Sequence, residues 1–415
     1  MKTLTLFFVL LFGMALHAQE FNQAKFDSLV DRLEEFDRFN GSIAIMKEGK
    51  IIYSRGIGKR IQEESGQLNN PETIFRIGSI SKSFTAVIIL QMVQEGKLKL
   101  DDKLSKFFPG VPNSENITIA NMLLHRSGIH SITDEEDYMD YFTQKKTREE
   151  LVAKISSYKS DFEADARSEY SNSNFILLSF IAEDVDKKSF DQIFSGRISK
   201  PLGLKHTYIG DKINPRENQT RSYSYRGVWK LEDETDMSIP LGAGAVVSTP
   251  SDLCRFYYAL FNGKLLNEEM LTTMTTINGE FGMGIFTFPF GEKISYGHTG
   301  GIDGFSSMAG YFQEEQIGVA LISNGRRYNN NDIMVAALSA VFGKDFELPK
   351  FSSYEVSTED LEKYIGIYSA EGFPMKIEIF NEETQLFAQA TGQNALPMDP
   401  ESEHVFSFIS AGIVL

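Results

Sequence analysis

The sequence predicts a mixed α/β (α+β) fold, with one antiparallel sheet built from N- and C-terminal strands, flanked by helices, beside an all-helical lobe, and a small β-rich C-terminal module. Three observations predict it. Strand-like runs lie at both ends of the stretch before Leu348, helical periodicity dominates between them, and further short strand-like runs follow Tyr354.

At the start, Lys2, the apolar run Leu4 to Leu16, and Ala18 before Gln19 and Glu20 read as a secretory signal peptide over residues 1–18. The run is shorter than the ~20 residues that span a bilayer. The expectations are therefore an exported protein, periplasmic or secreted, with no stable membrane insertion. About 397 residues remain after removal of the signal. That exceeds the roughly 250 to 300 at which one core stops growing, so residues 21–348 are expected to form a main domain and 354–415 a second unit.

Phe26, Leu29, Val30, Leu33 and Phe36 follow a spacing of three and four, which predicts an amphipathic helix between Phe21 and Phe39, ended by Gly41. Ser42 to Met46 and Ile51 to Ser54 read as two strands about a turn containing Gly49. Ser81 to Glu95 is apolar nearly all round, which predicts a helix inside the protein. Between Thr118 and Leu260 the clearest helical pieces are Met122 to Leu124, Asn174 to Glu183 and Pro250 to Leu260. Strands return at Ile294 to Gly297, Phe305 to Phe312 and Ile317 to Ser323, and a helix at Asp332 to Phe342.

Pro349 to Glu355 reads as a polar linker, followed by strands at Tyr364 to Tyr368, Lys376 to Phe380, Leu386 to Ala390 and Val405 to Ile409. These are fewer than the eight of a small closed barrel, and the apolar run at Leu415 suggests a truncated module.

Composition narrows the function. A formal charge of −16 repels phosphate backbones and excludes nucleic acid as a natural partner. Cys254 is the only cysteine, so no intrachain disulfide forms. The histidines show no metal-ligand spacing, and neither a metal nor an organic cofactor is implied. The expected partner is a small-molecule or peptide substrate.

Three short motifs carry chemistry. Ser79-Ile80-Ser81-Lys82 places a hydroxyl and an amine on one side of a first helical turn. Serine needs a base to become a nucleophile, and a lysine drawn out of water can act as one. The plainer reading is a helix cap followed by a solvated lysine, and the same spacing recurs at Ser156 and Lys159. Tyr170-Ser171-Asn172 offers a phenol that can pass a proton and an amide that can orient lysine and substrate; its plainer reading is a capping turn. His298-Thr299-Gly300-Gly301 reads as the end of a strand and the start of a turn. Its glycines free backbone N–H groups, Thr299 adds a hydroxyl, and His298 adds a donor whose charge depends on pH.

In this order the motifs resemble the serine β-lactamase and penicillin-binding-protein superfamily, in particular its class C branch with DD-carboxypeptidase and esterase relatives. Phe75 to Ser79, Leu123 to Gly128, Pro201 to Leu204 and Gly297 to Gly301 add to the resemblance, which covers roughly Phe26 to Phe342. The tail resembles part of a lipocalin-like module. The resemblance implies a β-lactamase/transpeptidase-like fold and an acyl-enzyme on Ser79, with Lys82 as base and Tyr170 as proton shuttle. Asn172, His298, Thr299, Gly300 and Gly301 would contact substrate, with the N–H groups of Ser79 and Gly301 as oxyanion donors. His298 stands where β-lactamases of this branch carry lysine, and Glu163-Ala164 replaces a frequent Pro-Gly. The expected activity is hydrolysis of D-amino-acid peptides, amides or esters, with peptidoglycan-derived substrates included. The alternatives are a β-lactamase and a catalytically silent scaffold.

Overall fold

The stripe Phe26, Leu29, Val30 and Leu33 is buried on one side of helix α1 (Gln23–Glu35), as its spacing predicts. The computed structural model describes residues 21–63, 67–352, 354, 356–369, 375–393, 395–408 and 413–415; the expected signal peptide, residues 1–18, lies outside them. The helix stops short of Phe39. Asp37 takes a left-handed φ of 49°, and Phe39 already opens strand β1 (Phe39–Lys47). Gly41 is thus no helix terminator; it lies within the strand, where a Cβ would sit 2.2 Å from the Ile322 carbonyl oxygen.

β1 pairs with β2 (Lys50–Ile57), and four later strands complete the sheet: β3 (Phe286–Phe290), β4 (Lys293–Ile302), β5 (Phe305–Phe312) and β6 (Ile317–Arg326). Their order is β2-β1-β6-β5-β4-β3, antiparallel throughout, so early and late chain segments meet at the β1–β6 pair. Alternation divides the side chains between two cores. Ala44, Met46, Ala320 and Ile322 share one with helices α2 (Ser81–Gln94), α3 (Asn172–Asp186) and α4 (Pro250–Phe261). Ile43, Ile45, Val319 and Leu321 share the other with α1 and α5 (Asn330–Val341). Helix α2 is buried along nearly its whole length, in keeping with its all-round apolar sequence.

Three expectations need correction. The lobe expected to be all-helical also carries a small sheet of Phe75–Arg76, Val246–Ser248 and Tyr208–Ile209, and a hairpin of Tyr223–Tyr225 with Trp229–Leu231. Runs of two or three residues are too short to show a period. His298 to Gly301 do not turn: they continue β4, with Gly301 paired to Ser306 and Gly300 to Ser307, and the reversal comes at Asp303 and Gly304. In the tail, strands Leu396–Ser402 and Ile413–Val414 add to those expected, so that β7 (Gly366–Tyr368), β8 (Ile377–Glu382), β9 (Gln385–Ala390), β10 (Leu396–Ser402), β11 (Val405–Phe408) and β12 (Ile413–Val414) form one six-stranded meander. Ile409, expected to end a strand, lies outside the described residues.

The meander has its own core of Leu361, Ile379, Leu386, Met398 and Phe406. It is tied to the larger sheet by Asp399, which pairs with Arg38 and with Arg327, the latter at 2.7 Å. Within the expected linker, Phe351 packs on Phe36 and Tyr328, each at 5.6 Å between centroids, while Ser353 and Glu355 lie outside the described residues.

Candidate active site

Ser79 lies in a single 3-10 turn, Gly78–Ile80, that runs directly into α2. Gly78 has φ of 51°, and a Cβ there would come within 2.7 Å of the Gly301 carbonyl oxygen. Only glycine lets this turn lie against β4. One helical turn on, Lys82 directs Nζ to Ser79 Oγ at 3.0 Å, to Asn172 Oδ1 at 2.7 Å and to the Ala243 carbonyl at 2.8 Å. That carbonyl reaches inward because Leu241–Ala243 passes between α2 and α3; a Cβ on Gly242 would meet the Phe175 carbonyl oxygen at 2.8 Å.

Lys82 is wholly buried and all three partners are neutral. Burial drives its pKa well below the ordinary lysine value, because desolvation disfavours the ammonium and favours the neutral amine. The two oxygens of Asn172 and Ala243 take two N–H bonds. The third direction, toward Ser79 Oγ, is then free for the nitrogen lone pair.

The Tyr170 ring lies 4.8 Å from Lys82 Nζ. Burial pushes the phenol pKa up, while a hydrogen bond with Ser79 opposes the shift, so the hydroxyl keeps its proton near neutrality. Asn172 is the first residue of α3, with Ser171 before it in extended conformation. Its Nδ2 donates to Thr133 Oγ1 at 2.9 Å and its backbone N–H to Ser131 Oγ at 3.2 Å, which turns Oδ1 toward the lysine.

His298 departs from its expected behaviour. It is 2% exposed, lies edge-on to Phe286 at 4.5 Å, and its Nδ1 donates to the Thr299 carbonyl. Burial first, then the nearby Lys82, push its pKa down to about 3. Its charge therefore does not change near pH 7, because the imidazolium would have to form in a desolvated site.

A cleft of about 610 Å³ opens over Ser79. Asn172 and Gly301 line it with the serine, together with apolar Tyr138, Phe142 and Ile239 and acidic Glu232, Asp233 and Asp303. Asp303 is neutralised by Arg76 at 2.7 Å and accepts from Thr235. Thr299 is not placed with Ser79: it is exposed and lines a smaller apolar pocket with Phe288, Met308 and Met334. Gly300 is closely packed, since a Cβ there would meet the Ile77 carbonyl oxygen at 2.0 Å.

Ser79, Lys82, Tyr170, Asn172, His298, Gly300 and Gly301 thus converge, although they come from three distant stretches of chain. Sequence reading missed Ser131, Thr133, Ala243, Glu232 and Asp233. A backbone carbonyl or a loop hydroxyl carries no spacing signal.

Comparison with known proteins finds chains that share this fold. A solved penicillin-binding protein homologue from Pyrococcus abyssi, described as octameric, is 28% identical, with a TM-score of 0.68 over 92% of each chain. A D-stereospecific amidohydrolase from Streptomyces sp. is also 28% identical, with a TM-score of 0.64 over 77% of this chain and 99% of that one. The teichoic acid D-alanine hydrolase of Staphylococcus aureus (strain MRSA252) is 29% identical over 245 residues, 57% of this chain and 59% of that protein, so less than two thirds of the relative is matched. The β-lactamase family model matches residues 26–342, a span that contains every strand of the larger sheet and the whole Ser79 cluster, and the chain belongs to the β-lactamase family.

Proposed function

We propose that the protein is an exported serine hydrolase that forms an acyl-enzyme on Ser79 and acts on D-amino-acid amides, esters or peptides. The observation that carries the reading is the buried amine of Lys82, 3.0 Å from Ser79 Oγ and without a carboxylate among its hydrogen-bond partners. Lys82 Nζ takes the hydroxyl proton as Ser79 Oγ attacks the substrate carbonyl carbon. The N–H groups of Ser79 and Gly301 meet the oxyanion. When the tetrahedral adduct collapses, the carbonyl re-forms and the bond to the leaving group breaks. Tyr170 delivers a proton to that group and recovers one from Lys82. Water then cleaves the acyl ester by the reverse sequence, releasing the acid and freeing Ser79.

The cleft favours an acyl donor that bears an amine over one that bears a carboxylate. Glu232 and Asp233 line the cleft, no Lys or Arg is among the described residues that line it, and His298 is held neutral by burial. At 4 Å a pair of unit charges interacts by about 1 kcal/mol in water and about 4 kcal/mol at a protein surface. That is enough to rank donors. Carboxylate-bearing β-lactams therefore rank behind D-aminoacyl amides and esters, and the names of the Streptomyces and Staphylococcus relatives support a D-configured donor.

The test is intact mass after incubation with a fluorescent penicillin and, separately, turnover of p-nitrophenyl butyrate and D-phenylalanine amide. An adduct or turnover that Ser79→Ala abolishes, with the melting curve preserved, is the expected result. Equal labelling of Ser79→Ala would remove Ser79 as nucleophile. No adduct and no turnover with any of the three would favour a silent scaffold.

A further inference from the structure

Tyr170 belongs to an irregular segment, residues 158–171, that contains neither helix nor strand. Something other than secondary structure must hold its phenol at Ser79. Apart from an internal bond from Ala166 N–H to Glu163, the backbone hydrogen bonds of this segment run to residues 125–128: Asp161 N–H to the Gly128 carbonyl, Asp165 N–H to Arg126, and Glu169 N–H to His125 at 2.8 Å. His125 then makes a second contact on the far side of the tyrosine, its Nδ1 accepting from Ser171 N–H at 3.1 Å. Its ring stacks on the Tyr170 ring at 4.4 Å between centroids and 25° between planes. One residue thus grips the chain before Tyr170, the chain after it, and the ring itself.

The local cost of this arrangement is visible. His125 is 1% exposed and holds a left-handed φ of 53°. With Nδ1 accepting, the imidazole proton sits on Nε2, which is buried without a hydrogen-bond partner among the described residues, beside the rings of Phe175 and Phe281. Phenylalanine would supply the stack without the acceptor, and asparagine the acceptor and the tolerance of positive φ without the stack. Histidine supplies all three.

We propose that His125 is the positioning residue that holds the Tyr170 phenol in register with Ser79. The inference rests on the reading of Tyr170 as proton shuttle. A misplaced shuttle matters most where the leaving group needs a proton, so an amide should suffer more than a p-nitrophenyl ester of the same D-amino acid. The full-length mature protein is assayed as His125→Phe, His125→Asn and Tyr170→Phe on both substrates. The expected result is a fall in amide kcat of ~10–100-fold for both His125 variants, with a much smaller fall for the ester and KM within ~3-fold. His125→Asn carries the test alone if His125→Phe does not fold. Equal losses on amide and ester, or no loss on either, would overturn the inference by reducing His125 to a core residue. Tyr170→Phe separates the two levels. If it lowers amide turnover while the His125 variants do not, the inference fails and the shuttle stands; if it turns over amide at the wild-type rate, the shuttle assignment fails first and the inference with it.

Discussion

The two adjacent glycines of β4 should respond oppositely to alanine. A Cβ on Gly300 would lie 2.0 Å from the Ile77 carbonyl oxygen, 2.6 Å from Ser307 Oγ and 2.9 Å from Ser79 N. A relaxed C···O contact is about 3.3 Å, so β4 and the Ser79 turn must part by about 1 Å. The serine hydroxyl offers no easy escape, because Ser307 Oγ itself donates to Ile77 at 2.8 Å. A displacement of about 1 Å at a reacting centre costs up to about 10²-fold, which corresponds to about 2.7 kcal/mol in transition-state stabilisation. On Gly301 the nearest atom to a Cβ is the Phe305 carbonyl oxygen at 3.9 Å, and alanine keeps the backbone N–H. We therefore expect Gly300→Ala to lower kcat/KM for D-phenylalanine amide by roughly 10²-fold and Gly301→Ala by less than about 3-fold. Steady-state kinetics with parallel melting curves decide it. Gly300→Ala at near wild-type activity would refute the claim that β4 is wedged against the Ser79 turn.

Other expectations can be checked with the same protein. In the proposed mechanism acylation needs neutral Lys82, whose pKa burial lowers, so kcat/KM should rise with pH along a limb well below the ordinary lysine range. Lys82→Arg, which stays charged, should abolish that activity at every pH, and an active Arg variant would remove the lysine as base. His298 has a pKa pushed down to about 3, below its unfolded value; the stability linked to it is present above about pH 6.5 and is lost as pH falls toward 3. Its imidazole resonances should not titrate between pH 5 and 8, and a midpoint in that window would contradict its burial. Asp399→Ala leaves Arg38 and Arg327 without their shared carboxylate, and denaturant melts should show a loss on the order of 3 kcal/mol. A loss below about 0.5 kcal/mol would mean that the meander is held by other contacts.

The strongest sequence signals were those that local physics repeats along the chain. The spacing of Phe26, Leu29, Val30 and Leu33 and the unbroken apolar character of Ser81 to Glu95 each report one helix and its exposure, and both match the structure. Ser79 and Lys82 were legible because one helical turn brings positions three apart together wherever the helix lies. Less was legible where a single residue had to be classed from its neighbours alone. Gly41 looked like a helix stop and Gly300-Gly301 like a turn, yet each lies in a strand. Glycine marks both a bend and a place where another backbone comes close, and sequence does not distinguish them.

The amino-acid sequence by itself determined the class of fold, the meeting of early and late strands in one sheet, and a serine hydroxyl paired with an amine. Tertiary structure alone decided the electrostatic state of that pair. Burial lowers the pKa of both Lys82 and His298, because segments far apart in the chain, such as Leu241–Ala243 and β4, close around them and exclude water. The same holds for Glu232 and Asp233 at the cleft and for His125 under Tyr170. Desolvation and contact depend on what lies across space, and nothing in local spacing records the partner that folding brings to the other side.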